Sequence, residues 1–170
     1  METIIVSVVS MALIIISTLT VTISTFQSAN RMADAWKAME TRSSSIGQTE
    51  IRVTAPAGYT GGLINLTVAN EGHTNLSDFT DWDVILQYQT GDSTYLGYAP
   101  GGAPAPGEWA VLAIRVADGS PEVFDPGILN PGEVMTVSIN PATEILEGQM
   151  ARMIVATPNG ITSQGYVTRR

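Results

Sequence analysis

Few residues in this sequence could do chemistry. The single histidine, His73, lies in a predicted turn, and three acids, Asp78, Asp81 and Asp83, cluster in the segment SDFTDWD. Closely spaced carboxylates could bind calcium, which prefers oxygen ligands. Their spacing is not that of an EF-hand loop, however, and acids are common where a strand begins. We therefore expect a solvated histidine, a solvated acidic cluster and no metal site.

Signatures of catalysis are missing from the sequence. There is no serine nucleophile elbow, no pair of metal-ligand histidines, no phosphate-binding loop and no dinucleotide fingerprint. The chain has no cysteine, so disulfides, zinc–thiolate sites and thiol nucleophiles are excluded too. These observations predict a protein with no catalytic residues, no cofactor and no small-molecule substrate.

Two asparagines have the context of an N-glycosylation acceptor. Asn65 begins Asn-Leu-Thr in a predicted strand, and Asn75 begins Asn-Leu-Ser in a predicted turn. Asn75 is the better candidate, because Asn65 would have to point outward from its strand. Attachment of sugar requires export, so both predictions depend on an extracellular location.

An apolar N-terminal segment is the element that dominates the chain. No charged residue occurs from Thr3 to Asn30, and a bilayer can be crossed by about 20 apolar residues. Helical spacing of apolar residues continues through residues 27–45, until Ser43–Ser45 and Gly47 stop it. We predict one helix about 65–70 Å long, at about 1.5 Å per residue, which is about twice what a simple anchor needs.

The residues around this segment leave two orientations open. Nothing basic precedes it, so it does not match a secretory signal. If Met1 is the primary start, Arg31, Lys37 and Arg42 would place the rest of the chain in the cytoplasm by the positive-inside rule. If a short basic leader has been removed before the apolar run, as in pilin-type processing, the rest of the chain faces outward. We favour the second interpretation.

After Gly47 the hydrophobic pattern changes to that of strands. Short runs rich in β-branched and aromatic residues are separated by turns, and proline lies between the runs rather than inside them. The predicted fold class is α+β: a hydrophobic N-terminal helix over residues 1–46, followed by an all-β, Ig-like sandwich over residues 47–170. The predicted strands are residues 49–54, 62–69, 83–89, 94–98, 109–116, 134–139, 150–156 and 161–168.

One segment between strands is long and rich in glycine and proline. It reads YAPGGAPAPGEW, from Tyr98 to Trp109, and its composition predicts a flexible, exposed loop. The alternative is a packed segment at a subunit contact, with the two aromatic residues as anchors.

The charge distribution restricts the partners of the distal domain. Net charge is −8, and all of it lies in residues 43–170, which carry five arginines against thirteen acids. Nucleic-acid binding requires a basic surface, so this class of partner is excluded. An acidic domain suits a solvated outer surface, where like charges keep particles apart.

Several segments together carry a family resemblance. They are the apolar helix that begins at once, the segment INLTVANEGHTNLSDFTDWDVILQY, and the C-terminal segments LNPGEVMTVSI and ARMIVATPNGITSQGYV. The arrangement resembles archaellins, the filament subunits of the archaeal motility organelle. The first half also looks like a type IV pilin, but the acid that bacterial pilins have at the fifth position is missing, and Glu2 is the only early acid.

The resemblance implies a motility filament of the archaellum type on the cell surface. Its subunits would be inserted in the cytoplasmic membrane before assembly, and motor and platform proteins would act at the filament base. Two alternatives remain: a membrane-anchored accessory or stator protein that binds the cell envelope, and an adhesive type IV pilin. For the homopolymer, the residues expected to pack in the filament core are Ile5, Val8, Val9, Ala12, Ile15, Ile16, Leu19, Ile23 and Phe26.

Overall fold

The computed structural model of the protein describes residues 2–56 and 58–170. It contains one long helix, α1 (Glu2–Gln48), eight strands, and a short 3-10 turn at Phe79–Asp81. The chain divides into two compact units between Ser43 and Ser44. The strands are β1 (Ile51–Thr54), β2 (Ile64–Asn70), β3 (Asp83–Tyr88), β4 (Ser93–Tyr98), β5 (Glu108–Val116), β6 (Glu133–Asn140), β7 (Met150–Ala156) and β8 (Thr162–Thr168).

Helix α1 is continuous over 47 residues and ends later than its sequence pattern indicates. It runs through Ser43–Ser45 and Gly47, where a stop was expected. Thr49 supplies the reason: its Oγ1 donates to the carbonyl of Ser45 at 2.8 Å, and its N–H donates to the carbonyl of Ile46 at 3.2 Å. These bonds satisfy carbonyls that a helix end otherwise leaves without partners.

The β-domain confirms the predicted fold class, an α+β chain whose distal part is all-β. All eight predicted runs form strands, with ends that differ by no more than a few residues. The strand order is β1-β2-β6-β5-β4-β3-β7-β8. Every pairing is antiparallel except that of β4 with β5, which are parallel through only two residue pairs, Gly97 with Glu108 and Tyr98 with Trp109. Two four-stranded halves, β1-β2-β6-β5 and β4-β3-β7-β8, are thus joined by a short bridge.

The other edges of the two halves also approach each other. The N–H of Val53 in β1 donates to Oγ of Ser163 in β8 at 3.0 Å. Gly165 permits this approach, because a Cβ there would lie 3.0 Å from Cβ of Ala55 and 3.1 Å from Cγ1 of Val53. The result is a nearly closed sandwich.

The core of the domain comes from the alternate residues of each strand that point inward, as the period of two requires. The 3-10 turn contributes Phe79 and leads into Trp82, and the two rings meet edge to face with centroids 5.5 Å apart. The indole N–H of Trp82 donates to the carbonyl of Ser77 at 3.0 Å, so its burial leaves no polar group without a partner. Other fully buried side chains are Ile64, Leu66, Leu86, Leu96, Trp109, Leu129, Met135, Ile139, Ile145 and Met153.

A matched pair of leucines tests this core. Leu86 is fully buried in β3, whereas Leu146 is 61% exposed. We expect Leu86→Ala to lower the free energy of unfolding by about 2–5 kcal/mol, because it leaves a cavity. Leu146→Ala should change it by less than about 0.5 kcal/mol. Denaturant unfolding of the full chain in detergent, followed by tryptophan fluorescence, measures both; equal effects would show that the core is misplaced.

Candidate assembly surface

The nine side chains predicted to pack in a filament core lie on one face of α1. At about 100° per residue they cover about a third of the helix circumference. All nine are exposed in the single chain, with values between 48% for Ile23 and 70% for Phe26 among the larger ones. The structure therefore brings these residues onto one continuous apolar surface; whether that surface packs against other copies stays a prediction.

The remaining circumference of the same segment is apolar as well. Val6, Leu13, Ile14 and Val21 lie outside the predicted face, and each is at least 60% exposed. A helix that is hydrophobic all round belongs in a protein core or a membrane. This helix is also long and apolar enough to cross a membrane. Its surface requires an apolar environment that the single chain does not supply.

Hydroxyl groups along this apolar segment find partners within the helix. The side chains of Thr18, Thr20, Thr22 and Thr25 each donate to the carbonyl four residues earlier, at 2.8–2.9 Å. A hydroxyl without a partner costs free energy in an apolar environment, and these bonds remove that cost. The threonines are therefore compatible with a dry surrounding.

The last helical turn is fixed to the β-domain by a buried polar cluster around Thr49. Its Oγ1 accepts a hydrogen bond from Nδ2 of Asn159 at 2.7 Å and lies 2.7 Å from Oγ1 of Thr74. Asn159, in the turn between β7 and β8, is itself held by Thr157, whose Oγ1 donates to Oδ1 of Asn159 at 2.5 Å. Thr49 and Thr157 are both buried. The cluster thus ties two loops of the domain to the end of α1.

Gly72 brings the backbone of the β2–β3 loop against the same turn. The N–H of the next residue, His73, donates to the carbonyl of Gln48 at 2.7 Å. A Cβ at Gly72 would lie only 2.5 Å from that carbonyl oxygen and 2.5 Å from the N–H nitrogen of Glu50. Only glycine fits this close approach of two backbones.

Sequence reasoning did not identify Thr49, Gly72 or Asn159. The segment TPNG was interpreted only as a turn, and no local pattern indicates that Asn159 contacts a residue 110 positions earlier.

The two sequon asparagines are both exposed. Asn65 lies in β2 opposite Ser138 and points out of the sheet, as its prediction requires, and Asn75 lies in the β2–β3 loop. Both side chains are thus accessible, and their glycosylation remains a prediction.

His73 and the acids of SDFTDWD lie on the surface. His73 is exposed, and Oδ1 of Asp83 accepts a hydrogen bond from the Tyr95 hydroxyl at 2.9 Å. That bond raises the pKa of Tyr95. Within residues 2–56 and 58–170, no three histidine or acid side chains are arranged to hold a metal ion.

Half of the residues between Tyr98 and Trp109 are exposed, as the composition predicts, but the segment is also bound to its own domain. Whether it also forms a subunit contact stays a prediction. Trp109 is fully buried and its ring lies 4.8 Å from that of Tyr98, centroid to centroid. Nδ2 of Asn140 donates to the carbonyl of Pro104 at 3.0 Å, and the Gly107 N–H donates to the carbonyl of Asn140 at 2.8 Å. The two aromatic residues anchor the segment inside the domain, where their apolar area is already covered.

Two carboxyl groups meet where the β5–β6 loop joins β6. Glu133 is buried, and its Oε2 accepts a hydrogen bond from the Asn130 N–H at 2.7 Å. Burial, and then the hydrogen bond with Glu122, raise the pKa of Glu133. The same carboxyl–carboxyl hydrogen bond, with the N–H groups of Asp125 and Phe124, lowers the pKa of Glu122. A proton shared by the pair therefore resides on Glu133.

Comparison with known proteins shows which solved structures have a similar fold. The β-domain is similar in fold to the archaellum periplasmic stator protein FlaG of Sulfolobus acidocaldarius, with 21% identity and a TM-score of 0.52 over 69% of this chain and 98% of that one. The FlaF–FlaG stator complex of the same organism matches with 19% identity and a TM-score of 0.53, over 69% and 88%. The archaeal flagellum of Methanospirillum hungatei strain JF1 matches over 94% of this chain and 90% of that one, with 15% identity and a TM-score of 0.51. No curated protein matches the sequence.

A long, exposed apolar helix that carries a β-sandwich defines a surface-filament subunit of the pilin-like class. The sequence profile of archaeal-type flagellins matches residues 1–165, nearly the whole chain, so the protein belongs to the archaeal-type flagellin family. The resemblance inferred from the sequence is thereby confirmed. As a member of this family the chain is a subunit of an archaellum-type filament, which lies on the cell surface.

Gly72 and Gly47 provide a matched test of the fixed helix end. Gly72→Ala should lower the free energy of unfolding of the β-domain by about 1–3 kcal/mol, because the two backbones must separate. Gly47→Ala lies in the same junction but meets no atom within 4 Å, and alanine favours a helix, so it should be neutral or stabilising by up to about 1 kcal/mol. Thermal unfolding of the full chain in detergent checks both, and a harmless Gly72→Ala would disprove the close approach.

The carboxyl pair predicts a pH dependence. The pKa of Glu133 is raised in the folded state. Its contribution to folding stability is therefore complete below the ordinary glutamate pKa of about 4.3, and it is lost as pH rises through the raised pKa. The pKa of Glu122 is lowered, so the stability that Glu122 contributes is lost as pH falls, below the pH range in which Glu133 acts. Glu133→Gln should therefore reduce the fall in melting temperature between about pH 4 and pH 7. The exposed Glu147, changed to glutamine, is the control; the same fall in E133Q as in the parent would refute the assignment.

Proposed function

We propose that the apolar faces of many α1 helices pack together into the dry core of this filament, with the β-domains forming its outer layer. One observation carries the proposal: the segment from Thr3 to Phe26 is apolar on every side and wholly exposed in the single chain. Copies of the same helix are the simplest partner, because a repeated head-to-tail contact that does not close produces a filament.

The packing energy differs between water and membrane. In water, burial of each large side chain would contribute about 1.5–3 kcal/mol, and eight of the nine side chains on the predicted face are large. In a bilayer that driving force is absent, and close packing and hydrogen bonding decide association. We therefore infer that α1 holds each subunit in the cytoplasmic membrane until it joins the filament, and that the apolar surface is never exposed to water.

The β-domain is suited to the outer layer. Its excess of acids over arginines keeps it solvated, and Asn65 and Asn75 are both accessible to glycosylation from outside. We infer that it has no enzymatic role, and that rotation is imposed by motor and platform proteins at the filament base. The proposed partners are thus other copies of this chain and the proteins of that base.

The second candidate function is that of a membrane-anchored stator which binds the cell envelope. The fold likeness to FlaG favours it, but this likeness covers only 69% of the chain. The likeness to the Methanospirillum hungatei flagellum extends over 94%, which requires that most of α1 be included. We therefore prefer the filament, and a stator would be found in membrane fractions and not in sheared filaments.

Leu19→Asp tests the role of the apolar face. A charge in the dry core would lack a partner, which costs several kcal/mol per site, so sheared preparations should contain no filaments. Leu146→Asp, on the exposed surface of the β-domain, should assemble normally. Electron microscopy of sheared material and circular dichroism of the β-domain signal give the two readouts. Normal filaments from L19D, with a folded domain in both variants, would reject the proposed core.

A further inference from the structure

The outer face of sheet half β4-β3-β7-β8 presents one cation on a surface that is otherwise mostly uncharged. Across the strands, Ile85 is paired with Tyr95 and with Ile154, and Arg152 is paired with Gln87 and with Tyr166. We call this surface the Arg152 face; its members are Ile85, Gln87, Tyr95, Arg152, Ile154, Gln164 and Tyr166. Tyr95 is 60% and Tyr166 48% exposed, so the face has large aromatic area available for contact.

Arg152 has no acidic partner among the residues that the structure describes. Its Nε is buried and makes no hydrogen bond there, whereas Arg52 is paired with Glu71 and Arg169 with Glu144. The one acid on this face, Asp83, is engaged by the Tyr95 hydroxyl. Beside the guanidinium lies an open depression of about 440 Å³, lined by Arg152, Ile154, Thr162, Ser163 and Gln164. The lining is polar apart from Ile154, so the depression fits an acidic group, while the exposed tyrosine rings of the same face fit an apolar one.

The loop between β5 and β6 has that chemistry. At its tip Phe124 is 92% and Val123 74% exposed, which leaves their apolar area uncovered in the single chain. Acids flank them: Asp118, Glu122 and Asp125. We call residues 118–125 the acidic loop.

The acidic loop is ordered by its own hydrogen bonds. Oε1 of Glu122 accepts from the N–H of Phe124 at 2.7 Å and from the N–H of Asp125 at 2.9 Å. Oδ1 of Asp118 accepts from the N–H of Ser120 at 2.8 Å and from its hydroxyl at 2.6 Å. A segment held in one conformation loses little entropy when it binds, so the outward position of Phe124 is prepared for contact. Asp125 makes no side-chain acceptor bond within the described residues and remains available for a cation.

The acidic loop and the Arg152 face belong to different halves of the sandwich. The loop connects β5 to β6 in one half, and the face is built on β3, β4, β7 and β8 in the other. A contact between the two surfaces on different copies therefore uses two different patches. When each copy uses its loop on one neighbour and its face on another, the contact is heterologous and propagates from copy to copy.

We propose that the acidic loop of one copy docks on the Arg152 face of a second copy, with Asp125 in the depression beside Arg152 and Phe124 against the exposed tyrosine rings. Charge complementarity selects the partner: arginines are few in the β-domain, and the surface of every copy is acidic. The ion pair sets the register and the aromatic tip supplies the buried area. The proposal rests on the proposed function, since the filament brings the copies together, and it adds an outer contact to the helical core.

Cysteine cross-linking of filaments tests the contact, because the natural chain has no cysteine to interfere. Val123→Cys and Gln164→Cys are combined in one full chain, and sheared filaments are treated with a short bis-maleimide. We expect a ladder of covalent dimers, trimers and higher species in denaturing gels. Filaments of V123C/Q164C without a ladder would overturn the docking and leave the helical core standing, whereas a parent chain that forms no filaments would overturn the proposed function.

Controls separate this contact from others. Chains with only Val123→Cys or only Gln164→Cys should give no product, and a dimer from either would mean a symmetric contact and reject the head-to-tail one. Val123→Cys combined with Leu146→Cys, which is equally exposed but outside the Arg152 face, should give no ladder; a ladder there would mean random collision and reject the docking.

Charge reversal gives a second measurement that does not depend on cysteine. Arg152→Glu and Asp125→Arg should each lower the temperature at which filaments dissociate, and the double variant should recover most of the loss. This recovery requires that the two residues face each other in the filament. If the losses in the double variant simply add, the pair does not exist and the proposal fails, whatever the assembly of the cysteine variants.

Discussion

An apolar helix surface that the single chain leaves uncovered is the constraint on which the rest of this molecule depends. From Thr3 to Phe26 every large side chain is exposed, and no charge interrupts the segment. Exposure of such a surface to water costs free energy, and the cost grows with the exposed area. The surface therefore requires apolar surroundings, and the internal hydrogen bonds of the helix threonines are compatible with them.

The β-domain meets the opposite requirement, because it must stay folded and soluble at the end of that helix. It closes its own core around Trp82 and Trp109 and places its acids outside, except for the buried Glu133. It also takes the last helical turn into its own unit through Thr49 and Asn159.

Local patterns predicted much of this architecture. The eight strands were found because proline and glycine turns separate runs of β-branched residues, and α1 because an uncharged apolar run continues into apolar residues at helical spacing. Contacts that join distant residues could not be found in this way, namely the parallel bridge of β4 to β5 and the Asn159–Thr49 bond. The late end of α1 was missed because it depends on the bonds of Thr49 to Ser45 and Ile46. The bonds that hold the Tyr98–Trp109 segment to its domain could not be found for the same reason, since its composition does not reveal that Asn140 binds its backbone.

The central claim is that the α1 helices form a dry core of the filament. It is tested most directly by measuring the accessibility of α1 inside intact filaments. The chain has no cysteine, so Ala12→Cys and Leu146→Cys each introduce a single thiol, one on the helix face and one on the β-domain. Sheared filaments of each variant are treated with a water-soluble maleimide, before and after dissociation in detergent. The account predicts that A12C is protected until dissociation while L146C reacts at once. Equal, rapid reaction of both thiols in intact filaments would contradict a dry helical core.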